Sequence, residues 1–479
     1  MDSRADQPWE NVIRHFSLVS KRFNAAVKQV ASPIFKVTVK NSERKQLLVV
    51  SSVWPHVAAN FEAANVICHS IVTQLVNAGD FDISYAYVNA KPASIPEPAR
   101  AEIEELRARG INFVELLLPP PWRIGSNPLR LLQALLKPGI VLNGHGNGER
   151  LLKSLGGRKI DAALEIWSEV GANVVAELPV VRFAYHGNPD PKVFAAQHEA
   201  LRLVGAQPRG FAGVVNWLRR RLLGGLLVRS HLAVMRRFKF VANVAANDAA
   251  YYVENGVNAF YLPNMWPTLP PDDWESRRDA LEKMNPGKIV GSIGNKGATG
   301  NSLGFIALGQ EVLPELKRTF QAASFTVHIF GGGQAKPALR FLLNDPCIQV
   351  RGFVEDLDAE ILSAPVFLIA NNHHHFKVGH TRFLHAWSLG ACVVAFSDCR
   401  DAMPEIEHGY NALLGNTPAE VAALVAQAMA DRDLRRRIGR GGVETLQRVY
   451  SPSVVTRTLI ERMRASLGLL EQTRGDHIE

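Results

Sequence analysis

The sequence predicts an α/β protein of two Rossmann-like, doubly wound domains facing a central cleft, each a parallel sheet wrapped by helices. Three observations carry this. From Lys45 onward, short β-branched runs alternate with longer amphipathic stretches. The alternation is interrupted by a polar, proline-punctuated segment after Trp266. It restarts at Lys288, now with glycine-rich turns after its strands. With 479 residues the chain is too long for one ordinary core and suits two such domains.

In the first series KQLLVVSSV reads as a buried strand, FEAANVICHSIVTQLVNAG as a helix closed by Gly79, and FDISYAYVNA as a second strand. ARAEIEELRARG is a helix ending at Gly110, and INFVELLLPP a strand stopped by prolines. KIDAALEIW, ELPVVRFAYHG and FKFVANV continue the pattern, and NGVNAFYLPNMWP is a short strand with a proline-rich exit. In the second series KIVGSIGNKG opens, FIALGQEVLPELKRTF is a helix, and FTVHIFGGG is a strand ending in glycines. IQVRGFV, PVFLIAN and GACVVAF are further strands, and PAEVAALVAQAMADRDLRRRIGRGG closes with a helix. The expected organisation is a helical extension over 1–44, a first domain over 45–266, a linker over 267–287, a second domain over 288–450, and a helix with tail over 451–479. The extension holds the amphipathic WENVIRHFSLVSKRFNAAVKQVA, suited to a membrane or to the C-terminal helix.

Hydrophobic residues make up 47% and charged residues 21%, a globular balance, and no apolar run approaches the roughly 20 residues of a bilayer span. The N-terminal residues do not form a secretory signal, and Cys68, Cys347, Cys392 and Cys399 lack metal-ligand spacing. A cytoplasmic protein with reduced, structural cysteines is expected. The formal charge of +9 concentrates in NWLRRRLLGGLLVRSHLAVMRRFKF, where Arg219, Arg220, Arg221, Arg229, Arg236 and Arg237 alternate with leucines. This segment, Arg219 to Arg237, suits an anionic membrane surface at the inner face, or a basic helix packed on its own domain through its leucines. No nucleic-acid module is present in the pattern, so no nucleic acid is expected as partner.

An ordered series of motifs marks the second half. GSIGNKG precedes LGQEVLPEL, then VHIFGGG, RGFVEDLDAEILSAPVFLIAN, FLHAWSLGACVVAF and MPEIEHGYNALLG. In this order they resemble the donor-binding domain of GT-B glycosyltransferases, particularly the large, mostly retaining clan that builds bacterial surface polysaccharides. The first half is similar more loosely, through its alternation and FVANVAANDAAYYVENGVNAFYLPN; the resemblance covers roughly residues 45 to 465. It implies transfer of a hexosyl or uronosyl group from a nucleotide-sugar donor to a glycan or lipid-linked acceptor, with no cofactor and no metal. A sugar-nucleotide epimerase of the same architecture and a non-catalytic glycan- or partner-binding relative are the alternatives.

The resemblance places the donor near Lys296 and Gly297 of GNKG, Arg382, His385 and Glu405. Lys296 in a glycine-flanked loop can share a diphosphate with backbone amides, or be a plain turn lysine. Arg382 sits three residues before the position where the family writes a glutamate, and its forked donors suit phosphate. The family's two glutamates, spaced by seven residues, are here Lys377 and His385, which implies either an acidic donor or lost activity. His385 could equally be bonded to backbone, and Glu405 could cap the next turn. In NNHHHFKVGH a metal site is disfavoured because alternate side chains of an extended segment point apart; His375 is kept as a donor-binding candidate. For the acceptor side the candidates are Glu165, His186 at a strand end, and His145 among glycines and asparagines.

Overall fold

The computed structural model describes residues 44–57, 63–92, 95, 97–118, 146–208, 210–270, 272–320, 324–371 and 376–469. The amphipathic N-terminal extension and the candidates His145 and His375 lie outside them.

The first domain is one parallel sheet of seven strands, β1 (Lys45–Ser51), β2 (Phe81–Asn89), β3 (Asn112–Leu117), β4 (Ala162–Ile166), β5 (Val181–His186), β6 (Phe240–Asn243) and β7 (Ala259–Tyr261), in the order 3-2-1-4-5-6-7. Its helices are α1 (Ala63–Ala78), α2 (Glu97–Ala108), α3 (Asn147–Ser154), α4 (Glu169–Val175), α5 (Asp190–Leu203), α6 (Gly210–Met235) and α7 (Ala246–Glu254). β1 shows why its run is unbroken in apolar residues: both faces are covered, as parallel sheets require. Leu47 and Val49 enter a cluster with Ile67 and Ile71 of α1, and Leu48 and Val50 enter one with Ala172 and Val175 of α4.

Helix α8 (Trp274–Glu282) lies in the stretch expected as a linker. It is anchored to the second domain. Buried Arg278 donates to the carbonyls of Ala364 at 2.5 Å and Leu389 at 3.5 Å and pairs with Glu282, while Asp279 pairs with Arg432 and Arg436. The polar composition therefore serves packing against carbonyls and arginines.

The second domain is a six-stranded parallel sheet, β8 (Lys288–Ser292), β9 (Thr326–Phe330), β10 (Ile348–Gly352), β11 (Val366–Ile369), β12 (Val393–Phe396) and β13 (Leu413–Gly415), in the order 10-9-8-11-12-13. α9 (Thr299–Ile306) runs through a π-turn at Ala307–Val312 into α10 (Leu313–Thr319), followed by α11 (Leu357–Leu362), α12 (Thr381–Ser388), α13 (Pro418–Ala430) and α14 (Arg432–Val449). The last helix, α15 (Pro452–Ser466), crosses back to the first domain. Its Val455, Leu459, Ile460 and Met463 join the core around α1, and Arg464 pairs with Asp80.

In each sheet the strand order reverses once, between β1 and β4 and between β8 and β11, which leaves a crevice beyond their carboxyl ends. The two crevices belong to facing walls. Ala196 and Ala200 of α5 pack with Leu303 and Ile306 of α9, and Gln197 donates to Thr299 at 3.1 Å. All four cysteines are buried and none forms a disulfide, and among the described residues no helix is long and apolar enough to cross a membrane.

Candidate active site

The donor wall is built on two glycine turns that touch. The loop after β8 contains Gly294 at φ +93°, and the loop after β9 contains Gly331 at φ +113°. A Cβ on Gly331 would stand 2.1 Å from the Gly294 carbonyl oxygen, so the crossing requires glycine. Lys296 ties the same loops: its Nζ donates to the Gly331 carbonyl and its amide to the Gly332 carbonyl at 3.0 Å. Burial lowers its ammonium pKa. The Gly297 amide is taken by the Asn295 side chain at 2.9 Å. Lys296 and Gly297 thus brace the turn that leads into α9.

Behind this turn Arg382, in the first turn of α12, reaches the first turn of α9. Its Nη2 donates to Asn301 Oδ1 at 2.6 Å, and the same oxygen accepts from Ser292 at 2.9 Å and from Asn371 at 3.3 Å. Asn301 in turn donates to the Asn295 carbonyl at 2.7 Å. The Arg382 Nη1 is buried with no hydrogen-bond partner, and no carboxylate among the described residues pairs with this guanidinium. Burial alone pulls its pKa down to about 10. His380, the residue before α12, is buried beside it, and burial with the Arg382 charge holds its imidazole well below its ordinary value, hence neutral. Its Nε2 has no hydrogen-bond partner among the described residues. A cation and a neutral imidazole, both desolvated, meet at a helix N-terminus, which is the chemistry of an anion site.

The other candidates are engaged. Lys377 pairs with Asp401 and lies 3.7 Å from Asp398. His385 turns to Asp358 at 2.7 Å and stacks on Trp266 with ring centroids 5.4 Å apart. Glu405 accepts from Tyr261 at 2.9 Å and Tyr450 at 2.8 Å, joining β7 of the first domain to the end of α14; burial raises its carboxyl pKa. Asn411 is wholly buried and bonds Glu405 and Glu407 backbone.

Across the cleft, Glu165 near the end of β4 and His186 at the end of β5 come together. Glu165 Oε2 is 3.0 Å from His186 Nδ1, and its other oxygen accepts from the Ser168 amide. Both are buried. Burial raises the Glu165 carboxyl; for His186 burial works downward, but Glu165 and Glu169 raise it to about 10. The pair continues to residues the sequence did not single out. Glu169, His186 and His231 can bring one ligand atom each within 4.8 Å of one another, a set able to hold a metal ion. Asn301 is likewise outside that reading, since a lone asparagine between the glycine loop and the helix expected from Phe305 reads as solvated surface. The only sequence signal for it was its place one turn after GNKG.

Two parallel sheets with facing crevices and a returning C-terminal helix define the GT-B fold. Solved structures share it. HepE from Anabaena, in complex with UDP and glucose, aligns with a TM-score of 0.55 at 12% identity, over 88% of this chain and 100% of that one. Sucrose-phosphate synthase from Thermosynechococcus elongatus aligns at 0.57 and 12%, over 88% and 100%. α,α-Trehalose 6-phosphate synthase from Burkholderia multivorans aligns at 0.54 and 12%, over 88% and 99%. Residues 287–431, within the second domain, match the family model described as glycosyl transferases group 1. By sequence the chain matches no curated protein. The resemblance drawn from the motif series and the expected fold class are borne out, and the match over residues 287–431 supports glycosyl transfer.

Proposed function

We propose that the chain transfers a glycosyl group from a nucleotide-sugar to a glycan or lipid-linked acceptor at an anionic membrane face, as in bacterial surface polysaccharide synthesis. The observation that carries this is the half-buried Arg382 guanidinium, held by Asn301 at the N-terminus of α12, with a buried Nη1 and no paired carboxylate among the described residues. A leaving nucleoside diphosphate supplies the missing charge and hydrogen-bond acceptors there. Preorganised donors of this kind act where charge develops, and closure of the two domains excludes water. HepE's complex with UDP lends the donor class support.

A neutral donor sugar is favoured, because the Lys377 charge is already balanced by Asp401 and Asp398. Retention is favoured over inversion, because Glu165 is fully buried and held by His186 and Ser168, so it is poorly placed to activate an acceptor hydroxyl.

The membrane part rests on α6. Its second half packs through Leu226, Leu232, Val234 and Met235, as a helix docked on its own domain should. Its first half does not. Phe211 is 85% exposed, and Val214, Val215, Leu218 and Leu222 are exposed as well. At about 100° per residue these five fall within an arc of about 100°, with Arg219 and Arg221 on its two rims. Arg220 points the other way, to Gln207 at 3.2 Å. An apolar stripe rimmed by arginines matches an anionic bilayer, with acyl chains under the stripe and phosphates at the rims.

Differential scanning fluorimetry and calorimetry of the full chain with UDP, GDP, ADP and CMP test the donor reading. One nucleotide should raise the melting temperature, and Arg382→Gln should weaken its binding by about 10- to 100-fold, the worth of a charge-assisted contact. Nucleotide binding unchanged in Arg382→Gln would refute the assignment.

A further inference from the structure

Away from the donor loops, the carboxyl end of the first sheet gathers an unusual amount of buried charge. Glu165, Asp190 and Asp248 flank Glu169, and against these four carboxylates stand Lys192, which pairs with Asp248, and two histidines. His186 Nε2 lies 3.4 Å from Glu169 Oε2, and His231 Nδ1 lies 2.9 Å from Glu169 Oε1. Asp248 is 1% exposed, its Oδ2 has no hydrogen-bond partner, and its charge acts on both histidines.

The decisive feature is how the outer ring nitrogens are used. Each histidine has its second nitrogen fixed by a partner outside the cluster: His186 Nδ1 by the Glu165 carboxylate at 3.0 Å, and His231 Nε2 by the Tyr252 hydroxyl at 2.8 Å. That leaves Nε2 of His186 and Nδ1 of His231 converging on one carboxylate, with ring centroids 5.8 Å apart. Ligating histidines almost always show this arrangement, a carboxylate or hydroxyl on the far nitrogen setting tautomer and aim. A network that only satisfied hydrogen bonds would have no need of two converging imidazoles, a carboxylate and an unpartnered Asp248 oxygen.

We infer that Glu169, His186 and His231 form a binding site for a first-row divalent cation of the zinc class, with Glu165 and Tyr252 as outer supports. Two imidazoles with a carboxylate are a donor set zinc accepts, and three protein ligands leave the fourth position of a tetrahedral ion to water. The ion stands in place of the protons that otherwise hold the histidines to Glu169 and offsets the surplus of negative charge. It ties β5, α4 and α6 into one block, so α6 is clamped at its inner end while its outer half stays exposed. This is independent of the donor reading, since none of these residues belongs to the Arg382 site.

The test uses the full chain purified without a histidine tag, dialysed against EDTA, then titrated with ZnCl2 by calorimetry and with CoCl2 by visible absorption. Expected are one equivalent of Zn2+, a raised melting temperature, and the d–d bands of four-coordinate Co2+. His231→Gln should lose the site, binding weakening by at least about 100-fold, and Tyr252→Phe should weaken it by about tenfold. A variant with His373, His374 and His375 all changed to Ala should bind as the parent does, which separates this cluster from that run. The inference is overturned if the folded parent takes up no stoichiometric Zn2+ and gives no Co2+ bands, if His231→Gln binds as tightly as the parent, or if the triple variant abolishes binding. Should His231→Gln fail to fold, Glu169→Gln replaces it, with the same expected loss and the same refuting outcome.

Discussion

Replacing Gly331 by Ala perturbs the donor wall at one atom. The residue has φ +113°, where an added Cβ costs about 1–2 kcal/mol of backbone strain. The Cβ would also stand 2.1, 2.7 and 2.8 Å from the carbonyl oxygen, carbonyl carbon and amide nitrogen of Gly294. All three are backbone atoms, so no side chain can swing aside. The loops must part by about 1 Å, an overpacking cost of about 1–3 kcal/mol. Together about 2–5 kcal/mol falls on the second domain, lowering its melting temperature by roughly 5–15 °C. The shift also moves Lys296, which bonds the Gly331 and Gly332 carbonyls, and with it the turn leading to Asn301. A displacement of that size in a binding constellation lowers transfer by about 100-fold. The assay pairs a calorimetric scan with nucleotide release from the donor identified by the melting screen. Gly332→Ala is the internal control: its Cβ meets nothing within 4 Å, and it should stay within about 0.5 kcal/mol of the parent. A Gly331→Ala protein that melts and turns over like the parent would refute the reasoning.

Lys377→Glu restores the residue the family writes, yet it would set a third carboxylate against Asp398 and Asp401; kcat/KM should fall by at least about tenfold, and a gain would show that the ion pair is dispensable. The double substitution Phe211→Ser with Leu218→Ser removes exposed apolar surface only, so melting should be unchanged while co-sedimentation with phosphatidylglycerol-containing vesicles drops; equal sedimentation would refute the docking face. Burial holds the Glu405 carboxyl above its ordinary value of 4.5, so the folded chain keeps that proton to higher pH than the unfolded chain. Its contribution is therefore full below about pH 4.5 and is lost as pH rises through the raised value. Urea midpoints measured across that window should slope down in the parent and less in Glu405→Gln, and equal slopes would contradict this.

How much of this was legible depended on whether a signal was local. The strands announced themselves because both sheets are buried on both faces, so β1 and β12 read as continuous β-branched runs. Arg382 was legible from its place in an ordered motif. His385 was not, because its partner Asp358 comes from another helix and its ring rests on Trp266, contacts with no sequence spacing. The helix at 274–282 was hidden by its charge: Arg278 and Asp279 read as solvated, whereas they bond backbone carbonyls and the arginines of α14. The cluster around Glu169 was the least legible. Its members come from one helix N-terminus, one strand end and the inner half of a basic helix, and only the sheet order brings residues 169, 186 and 231 together.

The returning helix α15 has a consequence for how the protein is made. The groove on α1 that receives Val455, Leu459 and Met463 belongs to the first domain, yet the strip that covers it is synthesised about 390 residues later. On a ribosome the first sheet can form early, but its apolar groove stays open to water until the second domain has been translated and α15 has emerged. The first domain thus folds as an unfinished unit awaiting its own last piece. Ile67, Ile71 and Leu75 are the surface a chaperone would meet in that interval, and a fragment ending at the linker would carry the same exposed strip permanently.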